Sequence, residues 1–291
     1  PMKKLYAALM TAFDENGNID EQGTREMVRY NIDVNQLDGL YVGGSTGENF
    51  MLGTAEKKRV FEIAMDEAKG SDIDLIAQVG SPNLHEAKEL AKFVTELGYK
   101  TISAVTPFYY NFNFDEIKHY YDEIVKDVDT KLVVYSIPAL TGVALSLDNF
   151  AKLFENEKII GVKYTNADFY LLERLRERFP DKLILSGFDE MLLPALALDV
   201  DGAIGSTFNI NAKKAKAEIA AFEAGDIAKA RQLQHESNDL ITDLLNNGIY
   251  ATLKLVFEEL GVHAGYTREP MAKATPEVKA GAKRIYEKYF K

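Results

Sequence analysis

The chain has 291 residues, of which 46% are hydrophobic and 27% are charged, a composition typical of a globular protein with a large core and not of a disordered chain. Acidic side chains outnumber basic ones by 45 to 34, which argues against nucleic acid and anionic membranes as partners. The chain has no cysteine, so disulfides, thiolate metal sites and a cysteine nucleophile are excluded. It shows no secretory signal and no apolar run of membrane-spanning length, so a cytoplasmic location is expected.

Short apolar runs recur along the chain, and most are followed by a charged segment with helical periodicity. This alternation predicts parallel β-strands joined by helices. Eight strands are predicted, at Tyr6–Met10, Gly39–Val42, Asp74–Val79, Thr101–Val105, Lys131–Ser136, Ile159–Tyr164, Leu183–Ser186 and Gly202–Ser206. The helices between them are predicted at Glu21–Val34, Thr54–Lys69, Leu84–Leu97, Phe114–Lys126, Ser146–Glu155, Phe169–Phe179 and Met191–Leu198.

The strand pattern stops after Asn211. The remaining chain predicts four helices, at Ala212–Ala224, Asp226–Asn247, Tyr250–Glu259 and Pro276–Tyr289. Eight βα units favour an α/β fold of the (β/α)8 TIM-barrel type over an open sheet, because no glycine-rich dinucleotide loop follows the first strand. We therefore expect a barrel over residues 1–211 and a helical extension over residues 212–291, packed together as a single structural unit.

Polar residues at the carboxyl ends of the strands are the candidates for chemistry, because active sites of such barrels lie at that face. The pattern selects Thr11, Gly43–Glu48, Gln78, Thr106, Tyr135, Lys163, Thr165, Gly187–Glu190 and Ser206.

Lys163 ends an apolar run and is expected to place its amine inside the mouth of the barrel. A desolvated lysine is a nucleophile that forms Schiff bases with carbonyl groups. The alternative is a lysine that reaches the rim or pairs with a carboxylate. Tyr135 ends the preceding strand, so its phenol is placed to move a proton at the lysine adduct. Its alternative is a packed aromatic ring with a solvated hydroxyl.

The segment Gly43–Glu48 combines three glycines with Ser45 and Thr46 before the next predicted helix. Free backbone N–H groups, two hydroxyls and a helix N-terminus suit a carboxylate, and the alternative is a plain glycine-rich turn. The four histidines lack the paired spacing of metal ligands, so no metal site is expected. They are His85, His119, His235 and His263.

Three segments together resemble the N-acetylneuraminate lyase/dihydrodipicolinate synthase family, and the match runs along nearly the whole chain. They are Gly43–Glu48, Tyr135-Ser136-Ile137-Pro138 and Gly161-Val162-Lys163. The resemblance implies that Lys163 forms an imine with pyruvate without a further cofactor, that Tyr135 transfers protons, and that Ser45 and Thr46 hold the pyruvate carboxylate.

The segment from Thr106 to Tyr110 also resembles a family segment, one that lends a tyrosine to the active site of the neighbouring subunit. This resemblance implies an oligomer, usually a homotetramer built as a dimer of dimers. Tyr109 and Tyr110 both fit this role, and we favour Tyr110.

Acceptor-side residues separate the members of this family. Synthases have an arginine five residues after the strand-five tyrosine, whereas this chain has Leu140 and so lacks a bidentate carboxylate contact. Gly187-Phe188-Asp189-Glu190 looks like the lyase motif whose carboxylates bind a polyhydroxylated tail. Thr165 and Ser206 match substrate-facing lyase positions.

The resemblance therefore implies retro-aldol cleavage of N-acetylneuraminate to N-acetylmannosamine and pyruvate. Three alternatives stay open. The first is an aldolase for a shorter 2-keto-3-deoxy sugar acid, the second is a non-catalytic keto-acid sensor, and the third is a metal-dependent aldolase.

Overall fold

The computed structural model describes residues 3–291. Eight parallel strands form a closed barrel in which each strand bonds to the next and the eighth bonds to the first. The strands are β1 (Lys4–Ala8), β2 (Gly39–Val42), β3 (Asp74–Gln78), β4 (Thr101–Val105), β5 (Lys131–Ser136), β6 (Ile159–Tyr164), β7 (Leu183–Ser186) and β8 (Gly202–Gly205). The predicted (β/α)8 fold is confirmed.

Twelve α-helices are found among residues 3–291. They are α1 (Glu21–Asp33), α2 (Thr54–Ala68), α3 (Leu84–Leu97), α4 (Phe114–Val125), α5 (Pro138–Thr141), α6 (Leu147–Leu153), α7 (Phe169–Arg178), α8 (Leu192–Ala197), α9 (Phe208–Glu223), α10 (Ile227–Asn247), α11 (Ile249–Glu259) and α12 (Pro276–Phe290). No helix in this part of the chain is long and apolar enough to cross a membrane.

Most element boundaries differ from the sequence prediction by one or two residues, and the largest differences are in β1 and α9. Strand β1 begins at Lys4, two residues early, because the Lys4 N–H bonds to the carbonyl of Asp201 and the residue pairs with Gly202. Its predicted last residues, Leu9 and Met10, lie beyond the strand and are buried, although the Leu9 N–H still bonds to the carbonyl of Tyr41 in β2. Helix α9 begins at Phe208 and not at Ala212, so its first turn falls inside the range assigned to the barrel. The division at residue 211 stays a prediction.

The barrel separates two apolar clusters. A small cluster fills the inside of the barrel, and a large one lies between the strands and the surrounding helices. The members of the inner cluster are Tyr6, Ala8, Tyr41, Ile76, Val105, Tyr135, Ile137, Leu185 and Ile204. Each fully buried large apolar side chain stabilises the fold by roughly 1.5–3 kcal/mol. The inner cluster therefore supports the strand ends that border the site.

Several loops that follow strands end in a side chain that caps the next helix. Asp20, Asn83, Asn113, Ser146 and Asp168 each accept a hydrogen bond from a backbone N–H in the first turn. Each cap contributes about 1 kcal/mol. Caps of this kind fix the point where the chain leaves the mouth of the barrel.

Glu218 on α9 is a buried carboxylate with 1% of its surface exposed. Its Oε2 has no hydrogen-bond partner among residues 3–291, and burial raises its pKa from 4.5 to about 8. Between pH 4.5 and about 8, Glu218 therefore keeps its proton in the folded protein, whereas it has lost that proton in the unfolded chain. The contribution of this proton to the free energy of unfolding is fully present below pH 4.5 and is lost as the pH rises through about 8.

We predict that Glu218→Gln removes this pH dependence. The variant should gain stability over the wild type at pH 9 by about 1–3 kcal/mol and show little gain at pH 5, because glutamine is uncharged at both values. Urea denaturation at the two pH values measures the difference. Glu223→Gln, on the exposed face of the same helix, is the control and should be neutral at both. An equal gain at pH 5 would contradict the prediction.

Candidate active site

Lys163 and Tyr135 lie side by side inside the mouth of the barrel. The β5–β6 register pairs the two residues directly, so their side chains point to the same face of the sheet. The Lys163 Nζ is 3.9 Å from the centroid of the Tyr135 ring, and only 6% of the lysine surface is exposed. No carboxylate among residues 3–291 forms a salt bridge with this amine. The lysine is therefore buried against aromatic rings and does not reach the rim.

Tyr41 on β2 is the second aromatic residue that packs against the Lys163 amine. Its ring centroid is 4.5 Å from the Lys163 Nζ, and its ring packs edge-on against Tyr135. The Tyr41 hydroxyl donates to the Ser103 Oγ at 2.7 Å, and Ser103 donates in turn to the carbonyl of Val133 at 2.7 Å. Burial raises the pKa of Tyr41, so its hydroxyl stays a donor. Tyr41 lies inside β2 and not at its end, so the strand-end pattern does not select it.

The segment Gly43–Glu48 forms a one-turn 3₁₀-helix at Ser45–Gly47. Its Ser45 Oγ is 3.4 Å from the Tyr135 hydroxyl. The N–H groups of Gly47 and Glu48 bond within the segment, whereas those of Ser45 and Thr46 have no acceptor among the described residues. The segment therefore offers two hydroxyls and two free N–H groups beside Tyr135.

One expectation about this segment is wrong. The next α-helix does not start there, because a second 3₁₀-turn at Asn49–Met51 intervenes and α2 begins only at Thr54. An α-helix N-terminus therefore does not contribute to the segment Gly43–Glu48. Two other strand-end residues hold the segment in place: Thr11 donates to the carbonyl of Gly47 at 2.9 Å, and Gln78 donates to that of Gly43 at 3.1 Å.

Asp189 lies on the opposite side of the mouth and is buried. Its carboxylate accepts hydrogen bonds from the backbone N–H and the hydroxyl of Thr207. Burial raises the pKa of Asp189 to about 7, Thr207 acts in the opposite direction, and the nearby Glu190 adds to the increase. This carboxyl group therefore changes protonation near neutral pH.

Most of the remaining predicted positions follow the carboxyl ends of β6, β7 and β8. The Thr165 Oγ1 is buried without a hydrogen-bond partner among residues 3–291, and a side chain at Gly187 would overlap it. Glu190 and Ser206 are half-buried. An unsatisfied buried hydroxyl is costly, so the Thr165 hydroxyl is available to a bound polar molecule. Thr106 Oγ1, at the end of β4, is unpaired in the same sense.

Tyr250, at the start of α11, is a further neighbour of this site that the sequence analysis did not select. Burial raises its pKa, with smaller contributions from Tyr135 and Glu48. The helical extension therefore contributes to the mouth of the barrel. Its only sequence signal was its place at the start of a predicted helix, two residues after Gly248.

The aromatic pair Tyr109 and Tyr110 lies at the surface, with 86% and 69% exposed. Tyr110 packs on Tyr109 and Phe112 and not on Lys163 or Tyr135. Leu140 is also exposed, at 69%. Within one chain, the structure does not bring Tyr110 to the lysine.

All four histidines are exposed. Among residues 3–291, no group of three or more histidine, aspartate or glutamate side chains is placed to hold a metal ion.

The chain belongs to the dihydrodipicolinate synthetase family, whose model matches residues 1–288. It is 71% identical over 289 residues to the N-acetylneuraminate lyase of Lactiplantibacillus plantarum, and the match covers 99% of each chain. Among solved structures, CdNal from Clostridium difficile in complex with mannosamine has a TM-score of 0.98, 63% identity and full coverage of both chains. The N-acetylneuraminate lyase from Fusobacterium nucleatum complexed with pyruvate has a TM-score of 0.95 and 58% identity, covering 100% of this chain and 98% of that one.

Gly205 allows the close approach of Asp189 to the end of β8, because a Cβ there would overlap the carboxylate. We predict that Gly205→Ala displaces Asp189 from Thr207 and lowers the free energy of unfolding by about 1–3 kcal/mol, measured by urea denaturation. Gly53→Ala is the control, since its nearest neighbouring atom would lie 3.7 Å away, and it should cost less. Equal losses in the two variants would show that the Asp189 contact is not the cause.

Proposed function

We propose that this protein is a class I aldolase that cleaves open-chain N-acetylneuraminate to N-acetylmannosamine and pyruvate. The observation that supports this most directly is the buried Lys163 amine, 3.9 Å from the ring of Tyr135. A lysine amine without a carboxylate partner, next to a phenol, is suited to imine formation and proton transfer. The high identity to lyases over the full chain length supports the same reaction.

The chemistry would start with attack of the Lys163 Nζ on the C2 ketone and loss of water, which gives an iminium ion. Tyr135 would relay the proton of the C4 hydroxyl as the C3–C4 bond breaks. The electron pair of that bond passes into the iminium ion and leaves an enamine and an aldehyde. Protonation of the enamine at C3 and attack of water at C2 then release pyruvate and restore the amine.

The substrate would lie across the mouth of the barrel. Ser45 and Thr46 would hold the carboxylate through their hydroxyl and N–H groups, which would donate charge-assisted hydrogen bonds to it. On the far side, the sugar tail would meet the Thr165 hydroxyl, Asp189, Glu190 and the half-buried Ser206, with the Gly187 backbone leaving room for approach. This arrangement would place the scissile bond over Lys163.

The far-side residues also favour this substrate over the alternatives. A shorter 2-keto-3-deoxy sugar acid would have less use for two acidic groups, Asp189 and Glu190, beyond the reacting carbons. A non-catalytic sensor would have no use for Lys163 beside Tyr135.

We predict rapid release of pyruvate from N-acetylneuraminate without added metal, and slow release from a shorter 2-keto-3-deoxy sugar acid. A coupled assay for pyruvate, with and without a chelator, measures both. Lys163→Ala should lower the rate by about 10³-fold or more, since a covalent step is lost. In the wild type, borohydride should reduce the imine with pyruvate to a stable adduct on the peptide that contains residue 163. This adduct should be absent from the variant.

Lys182→Ala, a lysine of the loop before β7, is the control and should keep both the rate and the labelled peptide. A preference for the shorter acid would overturn the proposed substrate and leave the imine intact. No pyruvate from either compound would overturn the aldolase itself.

We further propose that the working form is a homotetramer, built as a dimer of dimers, in which Tyr110 completes the active site of a neighbouring subunit. The exposure of Tyr110 and its aromatic neighbours supports a contact with another chain, because a large exposed apolar patch marks an interaction surface.

Mixed oligomers test this proposal. Tyr110→Phe and Lys163→Ala should each be nearly inactive alone, and subunit exchange between them should restore roughly a quarter of wild-type activity, since random pairing rebuilds one intact site in half of the dimers. Tyr109→Phe is the matched comparison and should stay active. Mixtures that gain no activity, or an active Tyr110→Phe, would contradict the assignment.

A further inference from the structure

A buried ion pair joins the helical extension to the segment that contains Ser45 and Thr46. The Lys254 Nζ on α11 lies 2.6 Å from Glu48 Oε2, with 1% and 0% of the two side chains exposed. The same amine donates to the carbonyl of Tyr266 at 2.7 Å. The backbone N–H of Arg268 donates to the other Glu48 oxygen at 2.8 Å. Both charged groups are therefore satisfied by residues far away along the chain.

Burial makes this pair an expensive way to stabilise a fold. Removing two charges from water is strongly unfavourable, and a pair of apolar side chains often stabilises a core better. Burial also lowers the pKa of Lys254, and Glu48 opposes this change. A pair of this kind is better explained by the single geometry that it imposes than by its stability.

Glu48 has a backbone that needs such support. Its φ of 58° lies in the left-handed region, which is strained for a residue other than glycine. It is the junction between the two 3₁₀-turns at Ser45–Gly47 and Asn49–Met51. Its own N–H donates to the carbonyl of Ser45 at 2.9 Å. A shift of Glu48 would therefore move Ser45 directly.

We infer that Lys254 is a positioning residue for the keto-acid carboxylate. By fixing the Glu48 carboxylate, it would hold Glu48 in its left-handed conformation and keep the Ser45 and Thr46 hydroxyl and N–H groups aimed at one point. The inference rests on the proposed function, because it assumes that these two residues bind the carboxylate.

The experiment measures how much pyruvate is needed to trap the imine with borohydride in the intact protein. Lys254→Met keeps the length of the side chain and removes its charge. The concentration for half-maximal trapping should rise about tenfold or more, with a smaller change in the maximal trapping rate, because binding is weakened and the amine is untouched. In the synthetic direction, the KM for pyruvate should rise and the KM for N-acetylmannosamine should stay constant.

The matched control is Lys57→Met. Lys57 on α2 and Glu86 on α3 form another ion pair, also at 2.6 Å, in which the lysine is buried at 5% exposed and the glutamate is partly buried at 13%. This variant should lower the melting temperature and leave the half-maximal pyruvate concentration unchanged. Lys254→Met/Glu48→Gln removes both charges, so it should recover stability and still bind pyruvate weakly. It also serves if the single variant does not fold.

The outcomes separate the two levels of the proposal. If the wild type traps no pyruvate, the proposed function fails. If the wild type traps pyruvate and the Lys254 variants need no more of it, or if Lys57→Met needs as much more, the positioning role alone is wrong.

Discussion

The register between β5 and β6 is the constraint on which the site depends. It sets Lys163 directly beside Tyr135, and closure of the barrel buries both side chains. A lysine amine in such a place loses most of its hydration, and here it meets the rings of Tyr41 and Tyr135 and no carboxylate. A one-residue slip of either strand would turn one of the two side chains out of the barrel. The hydrogen-bond register of the two strands therefore fixes the contact between Lys163 and Tyr135.

The electrostatics of the mouth reconcile an acidic protein with a proposed anionic substrate. The chain has a formal net charge of -11, yet Ser45 and Thr46 offer neutral hydroxyl and N–H donors beside Tyr135. The Glu48 charge is neutralised by Lys254 at 2.6 Å. Asp189 has a pKa raised to about 7 by burial, so part of its negative charge is absent at neutral pH. Local dipoles and paired charges thus outweigh the mean surface field at this short range.

The helical extension contributes residues to the mouth of the barrel. Tyr250 lies near Tyr135 and Glu48, Lys254 reaches the glycine-rich segment, and the backbone of Arg268 bonds to the same carboxylate. Helix α9 packs on β1 and β8 and α10 packs on α9. The extension therefore contacts the barrel both at its wall and at the mouth that contains Lys163.

The sequence by itself determined the eight strands, the closed barrel and the pair Lys163 and Tyr135, because apolar periodicity and strand-end position are local signals. It did not determine Tyr41, which reads as an ordinary apolar strand residue, or the start of α9, where a kink at Asn211 interrupts the helical pattern. Lys254 and Glu48 are 206 residues apart. Only the tertiary structure decided that they pair, because a contact between distant segments depends on how the chain closes and leaves no periodic trace in either segment.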